Sequence, residues 1–267
     1  MDELRHFRRS HYNEKARWAL DWKRRAHVRR SLLPGLHVQD VRKRTGQGAT
    51  PILKLDGRWI AGSSAIIAAL EAAQPDPPLF PVDGKLRAEA LAIEARFDED
   101  WGPRIRRAVF GVLLETPGYI ARIFSESRPI HERALYALMA PAAAPLIRKG
   151  NGIESDADIA DGEAAADEAF AWVAERTRGR AFLVGDGFSV ADLTAAAFLS
   201  LAIDMPGTPM ARPLPMPSAY AVWLEKRRDH PAAAWVRGIY ARWRVMDRDF
   251  EGVAPYAALA TKIVPAE

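Results

Sequence analysis

The sequence predicts an α/β domain over residues 1–75 joined to an all-helical domain. Three observations carry that expectation. Up to residue 75, period-2 and period-3.6 apolar patterns alternate in the order β-α-β-α-β-β-α. Residues 75–84, Pro-Asp-Pro-Pro-Leu-Phe-Pro-Val-Asp-Gly, hold four prolines, which fit neither a helix interior nor a central strand. Beyond them the chain is Ala-rich, with helical spacing and no strand pattern. We therefore expect an α/β domain at 1–75, a linker at 76–84 and a helical-bundle domain at 85–267.

Leu4-Arg5-His6-Phe7 alternates and reads as a short strand. Ser10 follows, then a helix over 12–26 with Ala16, Ala19 and Leu20 at helical spacing. Residues 28–33 read as a second strand, ended by Pro34-Gly35, and a weak helix is expected over 38–44. Residues 51–55 form the next strand; Asp56-Gly57 is a hairpin turn, and 58–61 return. Ser63 opens a helix through Ile66, Ile67 and Leu70. In the second domain, helices are expected near 85–114, 117–147, 156–178, 190–203, 217–228 and 230–245. Pro103, Pro129, Pro141 and Pro145 should kink or divide some of them. Ser189 and Asp192 are spaced as a capping box, with Phe188 and Leu193 as its staple. No pattern is readable in the tail, 246–267.

Of the 267 residues, 49% are hydrophobic and 27% charged, the balance of a folded chain. No apolar run reaches the roughly 18 residues a membrane helix needs. Met1-Asp2-Glu3-Leu4-Arg5 goes straight into charged sequence, unlike a signal peptide, so a cytoplasmic protein is expected. The chain has no cysteine, which excludes disulfides, thiolate metal sites and a protein thiol as nucleophile. The net charge of +4 is uneven: residues 1–60 hold 15 Lys and Arg against 6 Asp and Glu. A basic excess attracts anionic ligands, and its plain reading is a solvated basic face. No aromatic stacking platform alternates with the basic residues, so nucleic acid is not an expected partner. Glu94, Asp98, Glu99 and Asp100 cluster in one predicted helix, but no His is in step with them. They read as a solvent-facing run and not a metal site.

Four local patterns, in order, resemble the glutathione S-transferase superfamily. They are Ser10-His11-Tyr12-Asn13-Glu14-Lys15-Ala16-Arg17-Trp18-Ala19-Leu20, Thr50-Pro51-Ile52-Leu53-Lys54-Leu55-Asp56-Gly57, Gly62-Ser63-Ser64-Ala65-Ile66-Ile67, and Gly185-Asp186-Gly187-Phe188-Ser189-Val190-Ala191-Asp192-Leu193. The resemblance implies a thioredoxin-like first domain that binds glutathione as co-substrate, conjugation to a hydrophobic electrophile as second substrate or a related glutathione-dependent reaction, no metal, and a homodimer. It places Ser10 where Ser-type members carry the residue that activates the thiol. Position alone fits a helix cap equally well, and Asn13 and Tyr12 compete for the donor role. His11, without a Ser-His-Asp arrangement, reads as a surface residue.

The resemblance makes Thr50-Pro51 a cis peptide whose first residue pairs its backbone with glutathione, and gives Ser63, with Ser64, the γ-glutamyl carboxylate. The residue before Ser63 is usually acidic or Gln in the family; here it is Gly62. Tyr12, Trp101, Arg104, Arg107 and Phe110 are candidates for the electrophile pocket. A branch that runs its chemistry through a protein Cys is excluded by composition. A non-catalytic binding or scaffold protein on the same fold is the alternative.

Overall fold

The structure, a computed structural model, describes residues 1–246 and 249–254. Strand β1 (Asp2–His6) lies in the middle of a mixed sheet, with Asp2, Leu4 and His6 on its buried face. β2 (His27–Ser31) runs parallel to it, placing Arg29 opposite Leu4. β3 (Ile52–Leu55) pairs antiparallel on the other side, with Leu53 opposite Leu4, and β4 (Arg58–Ala61) extends that edge. Asp56 and Gly57 both take positive φ, 48° and 88°, as a two-residue hairpin needs for its twist to match the strands. Helices α1 (His11–Trp22), α2 (Val38–Thr45) and α3 (Ser63–Ala73) complete a thioredoxin-like domain.

The proline-rich stretch carries no regular element and is pinned to the first domain. The Lys23 ammonium donates to the Pro75 and Pro77 carbonyls at 3.0 and 2.7 Å, and the Trp22 indole donates to Pro78 at 3.2 Å.

The second domain is helical: α4 (Gly84–Arg96), α5 (Gly102–Leu113), α6 (Pro117–Ser125), α7 (Ile130–Gly150), α8 (Asp156–Arg176), α9 (Val190–Leu199), α10 (Ser218–Glu225) and α11 (Pro231–Trp243). α4 and α5 form the expected long helix, joined by a π-helical stretch, Phe97–Trp101. Pro103 falls in the first turn of α5, where its missing N–H is tolerated. Pro129 divides the expected 117–147 helix into α6 and α7, whereas Pro141 and Pro145 lie inside α7. The capping box forms at α9: Asp192 Oδ2 accepts from the Ser189 N–H at 3.0 Å, and Oδ1 from the Leu183 N–H at 2.8 Å.

Two expectations are corrected. A strand does occur after residue 85: β5 (Gly252–Val253) pairs antiparallel with the outer edge of β2. Two residues are too short to show a periodicity. What holds this segment is electrostatic: Arg29 donates to Asp249 at 3.0 Å, and the Ser31 N–H donates to the Glu251 carboxylate at 3.0 Å. The chain thus returns to the first domain; residues 255–267 of the tail lie outside the described residues.

The basic excess of residues 1–60 is also not simply a solvated face. Helix α1 is packed on both sides, so Glu14, Lys15, Arg17 and Asp21 are all buried. Each is paired. Arg17 meets Glu14 at 2.7 Å, Arg244 meets Glu14 at 2.8 Å and Asp21 at 2.6 Å, and Arg29 meets Asp21 at 2.6 Å. Lys15 reaches across to Glu94 at 2.8 Å and Asp98 at 2.6 Å. Those two acids therefore serve a buried lysine and do not face solvent. Buried charges persist only when paired, and here the second domain supplies Glu94, Asp98 and Arg244 as partners to Lys15, Glu14 and Asp21.

Candidate active site

A cavity of about 630 Å³ opens between the two domains. One wall is the loop after β1 with the start of α1, together with the segments before α2 and before β3. The opposite wall is made by α5, α6 and α7. Ser10, Tyr12, Asn13, Thr50 and Phe110 all line it.

Ser10 is the N-cap residue of α1, with extended backbone (φ −106°, ψ 130°), yet its side chain makes no capping bond. Instead its oxygen accepts a hydrogen bond from the Asn13 amide at 2.7 Å. Asn13 is fully buried and fixed at its other end, where its oxygen accepts from the Phe7 N–H at 3.1 Å. Ser10 Oγ is thus oriented as an acceptor, and its own proton meets no acceptor among the described residues. Tyr12 differs: its hydroxyl donates to the Asp98 carbonyl at 2.6 Å, and burial pushes its pKa up to about 12. Its proton is committed to joining the domains.

The Thr50–Pro51 peptide is cis. The Thr50 hydroxyl is buried and makes no hydrogen bond to a described residue. Ser63 is the first residue of α3 and is buried. Its predecessor Gly62 has φ +90° and ψ 140°, a conformation that disfavours any side chain. The departure from the family pattern at this position thus coincides with a backbone suited to glycine. Ser64 is engaged elsewhere: its hydroxyl meets Asp98 and accepts from Lys15 at 2.8 Å. Pro51, Ser63 and Ser64 do not line the cavity.

Three residues expected at the electrophile pocket lie elsewhere. Trp101 is fully buried against Phe97 and Trp172 and beneath the Arg96 guanidinium. Arg104 and Arg107 turn to Asp161 on α8, at 2.7 and 3.4 Å. Positions 104 and 107 share one face of α5, and 106 and 110 share another. Phe110 was a candidate, so the same spacing pointed to Arg106, which does line the cavity. His11 is corrected too: it is 2% exposed and packs against Tyr12 and Phe198. Burial first, then Arg106 and Lys15, hold its pKa well below the ordinary histidine value. Arg9, His37 and Arg212 also line the cavity, brought there by loops that carry no periodic signal.

The glutathione S-transferase N-terminal domain family matches residues 4–78, and the C-terminal domain family matches residues 129–215, together more than half of the chain. The chain belongs to the glutathione S-transferase superfamily. Solved members share its fold. A glutathione S-transferase from Rhodospirillum rubrum F11 is similar over 97% of this chain and 98% of its own, at 21% identity and a TM-score of 0.60. The β-etherase LigF from Sphingobium sp. strain SYK-6 covers 88% of this chain and 98% of its own, at 19% identity and a TM-score of 0.59. A glutathione transferase family member from Pseudomonas fluorescens Pf-5, solved with bound glutathione, covers 94% and 100%, at 19% identity and a TM-score of 0.56. No curated protein matches the sequence. In this superfamily member, no helix among the described residues is long and apolar enough to cross a membrane.

Proposed function

We propose that the chain is a cytoplasmic, homodimeric glutathione transferase that adds the glutathione thiolate to a hydrophobic electrophile. The observation that carries this is the Ser10 hydroxyl, held by Asn13 at the start of α1, in a cavity that Thr50 also lines. A free thiol has a pKa of about 8.5 and is only a few per cent ionised at neutral pH. A hydroxyl donating to sulfur and the positive end of α1 both favour the anion. Together they need lower the pKa by only about 1.5–2 units, or about 2–2.7 kcal/mol. The thiol proton leaves to solvent. The sulfur lone pair then forms the C–S bond as the electrophile's leaving group departs with its electrons. Ser10 donates a hydrogen bond and forms no covalent bond.

Thr50 pairs its backbone with the cysteinyl part of glutathione, as an added strand would, next to Pro51. Ser63 and Ser64 bring the first N–H groups of α3, which lack intrahelical partners, to the γ-glutamyl carboxylate. Ser64 contributes its backbone, its hydroxyl being shared with Asp98 and Lys15.

The test is calorimetric titration with reduced glutathione, followed by thiolate absorbance against pH, for wild type and Ser10→Ala. Wild type should bind and lower the thiol pKa, and Ser10→Ala should return it toward the free value. A lowered pKa in both proteins would move the donor role off Ser10. A second reading, a binding protein without turnover, is favoured by Gly62 and by the engaged Ser64 hydroxyl. No binding at millimolar glutathione would support it. Light scattering at micromolar concentration should return the dimer mass; a monomer would count against the assembly.

A further inference from the structure

Arg106 lines the cavity from α5, beside Tyr12 and His11, and its neighbours on the helix make its own state conspicuous. Arg104 and Arg107 are both paired with Asp161. Arg106 makes no ion pair or hydrogen bond to a described residue, and its Nε is buried without a partner among them. The other cavity arginines are occupied. Arg9 meets Glu126 and donates to the Ala211 carbonyl at 2.5 Å. Arg212 donates to the Tyr220 hydroxyl at 2.8 Å and to the carbonyls of Met210, Ser200 and Leu201. Among the described residues, no Asp or Glu lines the cavity.

A half-buried guanidinium whose Nε is shut off from water without a partner gains little in stability from that placement. It becomes favourable once an anion arrives, because a planar fork of donors matches a carboxylate in a low-dielectric wall. Around it, Val109, Phe110, Leu113, Ile120 and Ile123 make the same wall apolar. Burial lowers the Arg106 pKa, with Tyr12 opposing and Arg107 acting in the same direction as burial. His11 Nε2 is a second buried polar atom without a hydrogen bond at this end of α1.

We propose that the second substrate is an aromatic or otherwise apolar electrophile carrying an acidic group, and that Arg106 receives that group. The acid end anchors on the guanidinium while the apolar body lies along α5 and α6, with its reactive carbon toward Ser10. This inference rests on the transferase reading for the identity of the second substrate, but the binding of the anion does not depend on it.

The test uses 4-chloro-3-nitrobenzoate and its uncharged carboxamide, titrated calorimetrically into the full chain with and without glutathione. Wild type, Arg106→Met and Arg106→Lys are compared, with thermal melts to establish folding. Wild type should bind the benzoate about tenfold or more tightly than the amide, and Arg106→Met should abolish that preference. Arg106→Lys should keep part of it. Equal binding of acid and amide by wild type, or a preference that survives in Arg106→Met, would overturn the proposal. Loss of glutathione affinity in Arg106→Met would also overturn it, by assigning the guanidinium to a carboxylate of glutathione itself. If neither glutathione binding nor turnover occurs while the acid preference depends on Arg106, the transferase reading fails and the anion site stands.

Discussion

Asn13 holds two groups at once, and on the proposed reading it serves folding and chemistry together. Its carbonyl oxygen ties the loop after β1 to α1 through the Phe7 N–H, and its amide points the Ser10 oxygen. Both roles require its burial, which is complete. Asn13→Ala should therefore cost about 1–3 kcal/mol of stability and also raise the pKa of the bound thiol part of the way toward its free value. Urea denaturation and thiolate absorbance read the two effects separately. Tyr12→Phe provides the contrast. It removes the bond to the Asp98 carbonyl and should cost about 1 kcal/mol, yet leave the thiol pKa where it was, because that hydroxyl is spent between domains. A raised thiol pKa in Tyr12→Phe would return Tyr12 to contention as the donor.

At the scale of elements, α5 and α8 approach each other closely because Gly162 has no side chain. A Cβ there would stand 2.8 Å from the Ala108 nitrogen and 3.1 Å from its Cβ, and well inside contact with the Arg104 carbonyl oxygen. Backbone atoms cannot rotate away, so Gly162→Ala should destabilise by about 1–3 kcal/mol despite alanine's better helix propensity. A thermal midpoint equal to or above that of wild type would refute this. The same contact places Asp161 beside Arg104 and Arg107, and so leaves Arg106 to the cavity. Helix spacing in the sequence separates these arginines onto two faces. It does not say which face meets α8, and hence Arg104 and Arg107 were candidates for the pocket.

Across the whole molecule, burial of histidines makes folding sensitive to acid. Burial, chiefly, holds the His6 pKa down at about 3 and the His27 pKa at about 4, and His11 lies well below its ordinary value. In the unfolded chain each takes a proton near pH 6.5. Below that pH the unfolded state binds protons the folded state refuses, so stability falls as pH falls toward 4. Asp192, raised to about 6 by burial, acts in the opposite sense and offsets one histidine over the same interval. The lowered histidines outnumber it, so stability falls as pH drops from 6.5 toward 4. Below about pH 4 the loss deepens. Burial alone would raise the Asp249 pKa, but the guanidinium groups of Arg17, Arg29 and Arg8 outweigh it and keep the carboxylate charged in the folded chain. Urea midpoints at pH 7.5 and pH 5 provide the check. Equal midpoints would mean that these histidines are not buried as neutral rings.

Periodicity, the proline linker and four ordered motifs were enough to read the two-domain fold, the capping box at Ser189 and Asp192, and the place of Ser10 at the start of α1, because each depends on residues close in sequence. The pairing of Lys15 with Glu94 and Asp98, the return of Asp249 and Glu251 to β2, and the division of labour among Arg104, Arg106 and Arg107 were decided only in three dimensions. Their partners are distant in sequence, and a charge in a one-dimensional pattern is read as facing water. Whether it does is settled by which helix covers it. In α1 both faces are covered, so groups that looked most soluble became buried ion pairs, several of which join the two domains.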